Sequence, residues 1–479
     1  MINNNRNSLW IFLFSICYMC ILMYCVSHEN FLLLSIPLFL AVIYLSIFNF
    51  KYLFFLVVFL TPLSMSLIDL GADIANTEMA FPTEPLLFGL MLLTIFKIAY
   101  NFSIFRPLFK HYITAIIILY IIWMTITSLT SSMPLVSFKV LLSRMWYIIP
   151  VFFTGHLIFK NRQNISYFFL AYSVPLAGVI VYTSLRHSMY FFDKQSAHYM
   201  MSPFFNDHTS YGALIAFFIP LLFYEFLNKK STSVIKYFLL AILFIFIVGF
   251  ILSFSRAAWI SLFLSALIMF IIKLKIHIRW LVFSGFSILV VLLLFQQPIL
   301  NRLSENRQDS SDNLIEHVTS LSNISTDASN MERINRWKCA VSMFLERPFF
   351  GWGPGTYQFQ YAPFQLSSDR TIISSNSGDA GNAHSEYLGP LAESGFMGLV
   401  TFLLLVIVVV FKAINMYYKS DDQQTKGLLL AIITALISYF IHGIFNNFLD
   451  TDKASVPIWG VIAILVSIDL YKSKNKFIP

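Results

Sequence analysis

Residues 237–254 read YFLLAILFIFIVGFILSF, eighteen positions without a charge. A bilayer core about 30 Å thick is crossed by a helix of about 20 apolar residues. An open strand would leave its backbone unpaired in lipid, and the stretch lacks the alternation of a barrel strand, so it reads as a spanning helix. Outward from it, apolar runs of spanning length fall at 9–27, 31–48, 52–68, 85–100, 112–130, 140–158, 165–184, 209–227, 257–272, 280–296, 388–411, 427–446 and 455–471. The runs at 85–100 and 257–272 are short, so the count is 12–14 spans. The fold class is all-α, a polytopic transmembrane helix bundle with one large loop domain.

The composition agrees. Apolar residues make up 58% of the chain and charged residues only 12%, against about 25% charged in soluble domains. The net charge of +8 does not signal nucleic acid, because the Lys and Arg cluster in short breaks between apolar runs. With the N-terminus in the cytoplasm, alternate breaks carry Lys51, then Lys97, Arg106 and Lys110, then Lys160 and Arg162, and so on to Lys472, Lys474 and Lys476. The opposite short breaks carry few, namely Lys139, Arg186, Lys194 and Lys453, with Arg256 at a span edge. This bias puts both termini inside and the long break, 297–387, outside. The first run follows a weak basic lead, Arg6, has no small-residue cleavage pattern, and reads as a retained helix. The expected divisions are 1–208, N-terminal helices; 209–296, core helices; 297–387, the outer loop domain; and 388–479, C-terminal helices.

Within the loop, 301–329 is rich in Asn, Ser and Asp and reads as irregular. Ser329-Asn-Met-Glu332 forms a capping box ahead of Ile334, Trp337, Val341, Phe344 and Leu345 at helical spacing. That helix should stop before Pro348, and Gly351, Gly353, Pro354 and Gly355 read as a tight turn.

Several residues could carry chemistry. Arg256, at a span edge, is either a snorkelling cation or a fork for phosphate oxygens. Arg333 and Arg336 share one face of the loop helix, and Arg347 follows; a solvated face competes with anion contact. His384, near the start of the next helix, is either a polar surface group or a neutral imidazole held so by the helix terminus, fit to act as a base. Asp207 and His208 could line an acceptor path, with a plain capping role for Asp207 equally open. His442 and Asn446, four apart, could share a helix face towards the bundle interior. The Cys17–Cys20 spacing mimics half a zinc site without a second half, and no His or Cys cluster follows. No metal or cofactor is therefore expected. There is also no phosphate loop, dinucleotide fingerprint or Ser nucleophile motif.

Three segments, in this order, carry a resemblance. They are Phe254-Ser-Arg-Ala-Ala-Trp259; Arg333-x-x-x-Trp337 with Arg347-Pro-Phe-Phe-Gly-Trp-Gly-Pro-Gly355; and Asn382-Ala-His-Ser-Glu-Tyr-Leu388 with Leu391-Ala-Glu-Ser-Gly-Phe-Met-Gly398. Over about 200–450 the chain resembles the O-antigen ligase family, which includes related polymerases of lipid-linked repeats. The resemblance implies a membrane glycosyltransferase of the C type, without metal or nucleotide, whose donor is an undecaprenyl-diphosphate-linked glycan. It implies Arg256 and Arg333 on the donor diphosphate and His384 as catalytic, with Arg336, Arg347 and Asn382 supporting. The acceptor would be lipid A-core for a ligase, or another lipid-linked repeat for a polymerase. From other classes, an exporter or flippase would need charged or polar groups along several spans, where Arg144 alone stands out, and a non-catalytic assembly protein would tolerate loss of the Arg and His residues. The expected location is the inner membrane, with the large loop in the periplasm.

Overall fold

A computed structural model of the chain describes residues 36–69, 79–228, 234–275, 331–367 and 381–472, with a few isolated positions elsewhere. The runs expected at 9–27 and 280–296, the segment 301–329 and the Ser329 end of the capping box lie largely or wholly outside the described residues. In chain order the helices are α1 (Ile36–Phe48), α2 (Phe50–Leu60), α3 (Thr83–Tyr100), α4 (Phe102–Phe109), α5 (Tyr112–Leu129), α6 (Pro134–Ile148), α7 (Gln163–Ser188), α8 (His208–Asn228), α9 (Val234–Leu252) and α10 (Arg256–Lys273). After them come α11 (331–346), then α12 (Leu388–Lys419), α13 (Gln423–His442) and α14 (Asp452–Lys472). Residues up to Val57 form one compact unit and those from Val58 onward a second.

Ten of the described helices are long and apolar enough to cross a membrane. The protein is an all-α, multi-pass membrane protein. α13 and α14 are the most enclosed helices, while α9 and α10 present Phe244, Ile251 and Phe263 outward, as a face against lipid must. The apolar run 52–68 does not stay helical. α2 ends at Leu60, Thr61–Leu63 form a 3-10 turn around Pro62, and Met65–Ser66 then pair with Ala80–Phe81 as a two-stranded ribbon. Pro62 lacks the N–H that would continue the helix. α6 runs on to Ile158 through a π turn, Ile149–Thr154, with Pro150 in its first positions. α12 is broken at Gly395, whose φ is 68°.

The two ends of the second unit differ in content. At one end Arg162 meets Asp422 at 3.3 Å, and Asp469 accepts from Lys412 at 2.7 Å and lies 3.1 Å from the His111 ring. At the other end the loop seats on the bundle: the Ser132 N–H donates to Trp352 O at 2.9 Å and the Glu386 N–H to Gly443 O at 2.8 Å. The spans hold more charge than Arg144 alone, since Glu84, Glu225, Glu393 and Asp469 lie within helices. All four sit towards helix ends, where a partner or water is within reach.

Candidate active site

The loop helix α11 stops at residue 346, before Pro348, as expected. Its buried face is not the expected one. Val341 and Leu345, from the apolar stripe, are exposed, whereas Glu332, Asn335, Arg336, Cys339, Ala340 and Met343 are buried. Pairing lets polar residues share the buried face with Cys339, Ala340 and Met343, while Ile334, Trp337 and Phe344 are half-buried. Arg336 Nε donates to Glu332 Oε1 at 2.8 Å, and Asn335 donates to Gln365 at 3.1 Å. Polar groups that satisfy each other can go inward. Arg336 therefore does not lie on a solvated face beside Arg333. Its guanidinium packs where a Cβ on Gly381 would fall, and Nη1 donates to the Asn382 carbonyl at 3.3 Å.

The glycine turn and the start of α12 clamp each other. The N–H groups of Trp352 and Gly353 donate to the carbonyls of Ala392 and Glu393 at 3.1 and 2.7 Å, and Phe396 N–H donates to Pro348 O at 2.9 Å. The Glu393 carboxylate accepts the Tyr357 N–H at 3.1 Å. Arg347 lies 4.0 Å from the centre of the Trp352 ring, a cation–π contact that closes the turn. Arg347 is thus occupied with the loop's own fold.

Above this clamp sits His384, with φ at 45°. A bulky residue rarely adopts that left-handed conformation, and such strain persists only where neighbours impose it. Here Asn382 Oδ1 accepts the His384 N–H at 3.0 Å, and the Trp337 indole donates to the His384 carbonyl at 3.4 Å. Burial, then the charges of Arg336 and Arg333, pull the imidazole down to about 4. The helix begins only at Leu388, so desolvation and two guanidiniums keep His384 neutral, rather than the helix terminus expected from the sequence.

Around His384 the structure gathers residues distant in sequence. Arg333 and Asp207 are both within electrostatic reach of His384, and burial lowers the Arg333 pKa while Asp207 opposes it. Asp207 Oδ1 caps α8, accepting the N–H of Thr209 at 2.7 Å and of Ser210 at 2.7 Å. The capping reading was therefore right, and the carboxylate still faces the cluster. His208 Nδ1 lies 3.0 Å from His198 Nδ1, a partner not anticipated from sequence. His442 Nε2 accepts from Asn446 at 3.2 Å and lies near Asp207, Arg333, His208 and the Ala257 backbone. Ala257 follows Arg256, so the start of α10 abuts the same cluster, with Arg256 exposed. A Cβ on Gly212 would come within 2.9 Å of Ser255 Cβ; the missing side chain lets α8 approach the turn before Arg256. Glu386 is held otherwise: its Oε1 accepts from Tyr439 Oη and from the N–H groups of Phe448 and Leu449. It organises the turn after α13. Among the described residues, no group of three or more His, Cys, Asp or Glu side chains is placed to hold a metal ion.

Residues 240–403 match the family described as O-Antigen ligase. The chain carries an O-antigen ligase-related domain. No curated protein matches the chain. The ligase-related domain includes Arg256, Arg333 and His384 and excludes Asp207, His208, His442 and Asn446, which the fold brings to it from both sides. The match supports membrane glycosyltransferase activity of the O-antigen ligase and polymerase kind.

Proposed function

We propose that the protein transfers a glycan from undecaprenyl diphosphate to an acceptor hydroxyl, on the periplasmic face of the inner membrane. The observation that carries this reading is the convergence of Arg333, His384 and Asp207 beside the start of α10, at the loop end of the bundle. Arg256 and Arg333 hold the diphosphate, and neutral His384 takes the proton of the acceptor hydroxyl. The hydroxyl oxygen then bonds to the anomeric carbon, the bond from that carbon to the diphosphate oxygen breaks, and undecaprenyl diphosphate leaves with the electron pair. Attack from the face opposite the leaving group inverts the carbon. Such catalysis needs charge stabilisation on the leaving group and a base, both of which these residues supply. Lipid A-core is the acceptor in the ligase reading; transfer to a second lipid-linked repeat would make the protein a polymerase. Glycan profiles of a deletion strain decide between them: free core with no polymer attached marks a ligase, and a single repeat on the core a polymerase.

Two outcomes test the assigned roles. Arg256→Ala should abolish transfer, while Arg256→Lys, which keeps charge without the fork, should retain part of it. Full activity in Arg256→Ala at normal expression removes that residue from the site. The second outcome is a pH profile. Only neutral His384 accepts a proton, and burial with two guanidiniums holds its pKa near 4. The value of kcat/KM should therefore stay level as pH falls through 6.5, the usual imidazole range, and drop only near 4. A bound diphosphate adds negative charge and favours the protonated ring, so the acid limb of kcat should lie at higher pH than that of kcat/KM. Coincident limbs near 6.5 would contradict the placement of His384 between the guanidiniums and the donor.

A further inference from the structure

Next to the His384 cluster lies a cavity of about 680 Å³, within the range of small-molecule sites. It shares Asp207 and Asn382 with that cluster and runs inward to Arg144. Arg144 is ten residues into α6, about 15 Å along the helix, and only 8% exposed. Its Nη2 meets Asp450 at 2.5 Å, while Nε and Nη1 are buried with no hydrogen-bond partner among the described residues. Leaving two donors of a buried cation unmet costs stability. An arginine at that depth is expensive and marks function by default.

The chemistry of the walls identifies what meets those donors. Carboxylates outnumber Lys and Arg seven to two among the lining residues, so the walls give an anionic ligand few cations to meet. Glu84, Glu393 and Asp450 offer acceptors for hydroxyls, and Tyr120, Trp123 and Tyr357 supply flat aromatic walls. Carboxylate acceptors, a guanidinium with spare donors and aromatic faces together suit an uncharged pyranose. We propose that this cavity binds uncharged sugar residues, with Arg144 donating to a ring, hydroxyl or acetamido oxygen. It deepens the transfer reading and rests on it, since the sugar's reacting end would lie at the shared Asp207 and Asn382.

The test uses purified full-length protein in lipid nanodiscs. Saturation-transfer NMR is run against a panel of neutral hexoses and N-acetylhexosamines, with glucuronate as the anionic comparator. Binding of bare undecaprenyl diphosphate is measured separately. Neutral sugars should give signal and glucuronate little. Arg144→Ala should weaken sugar binding at least about tenfold, the effect of losing one charge-assisted hydrogen bond, and leave undecaprenyl diphosphate binding unchanged. If Arg144→Ala fails to fold, Arg144→Lys, which keeps the charge near Asp450 but not the fork, should show the same selective loss. Displacement of sugar by sugar-bearing but not by bare undecaprenyl diphosphate assigns the cavity to the donor's glycan; displacement by neither assigns it to the acceptor. No signal from any neutral sugar, a preference for glucuronate, or full sugar binding in a folded Arg144 variant overturns the proposal. Failure of the wild type to bind undecaprenyl diphosphate would instead overturn the transfer reading, and the sugar panel would still judge the cavity.

Discussion

Gly353→Ala is expected to unseat the long loop from the bundle. Gly353 has φ at 113°, and an added Cβ would fall 1.9 Å from Ser131 Oγ and 2.4 Å from Ser131 Cβ. Ser131 cannot swing away cheaply, because its Oγ bonds Ser137 Oγ at 2.7 Å and accepts the Met133 N–H at 3.0 Å. Overpacking costs about 1–3 kcal/mol and a backbone conformation foreign to L-residues about 1–3 kcal/mol more. Together these are a large share of a typical folding stability of about 5–15 kcal/mol. The variant should show a loop cut readily by protease and no transfer. Gly389→Ala is the control, since nothing lies within 4 Å of a Cβ there; it should keep wild-type protease resistance. Equal resistance in Gly353→Ala would mean that the clamp between the glycine turn and α12 does not hold the loop.

His384→Ala should lower turnover by roughly 10²–10⁴, the range for removing a general base. The backbone at 384 is held by Asn382 Oδ1 and the Trp337 indole, and neither contact needs the imidazole. Folding should survive, and relief of the left-handed strain is partial at most because alanine is disfavoured there too. Donor affinity should change little, because in the proposed mechanism the guanidiniums hold the diphosphate. A parallel Asn382→Ala variant should lose part of the activity while keeping the imidazole, because His384 then loses the acceptor that fixes its backbone. An unchanged turnover in His384→Ala would move the base elsewhere. Asp207 would be next, since Glu386 Oε1 is already engaged by three donors.

Much of this was legible in the chain itself. Spanning helices follow from apolar length alone, and the stop of α11 before Pro348 and the turn at Gly351–Gly355 follow from local backbone rules. The stretch 52–68 misled because apolar content says nothing of the strand that Met65 and Ser66 form with Ala80 and Phe81. The inward face of α11 misled for a different reason: periodicity assumes that polar groups seek water, and the Glu332–Arg336 and Asn335–Gln365 pairs remove that need. The Arg144–Asp450 pair joins residues far apart in sequence, which no local pattern reveals, although a charge inside a span was itself a signal. For Asp207 a capping role stood level with a place in the site, because a capping carboxylate is common at helix starts. Its place beside His384 depends on α8 packing closely against α10, where Gly212 leaves room for Ser255.

The division of labour between charge and base is the central claim, and one measurement addresses it. Release of undecaprenyl diphosphate from a sugar-bearing donor is followed with purified wild type, Arg333→Ala and His384→Ala in nanodiscs, with donor binding measured in the same preparations. The wild type should bind and release. Arg333→Ala should bind the donor weakly. His384→Ala should bind it normally and release it at least about a hundredfold more slowly. Loss of donor binding in His384→Ala, with turnover intact at saturating donor, would make His384 a ligand of the diphosphate and contradict the mechanism.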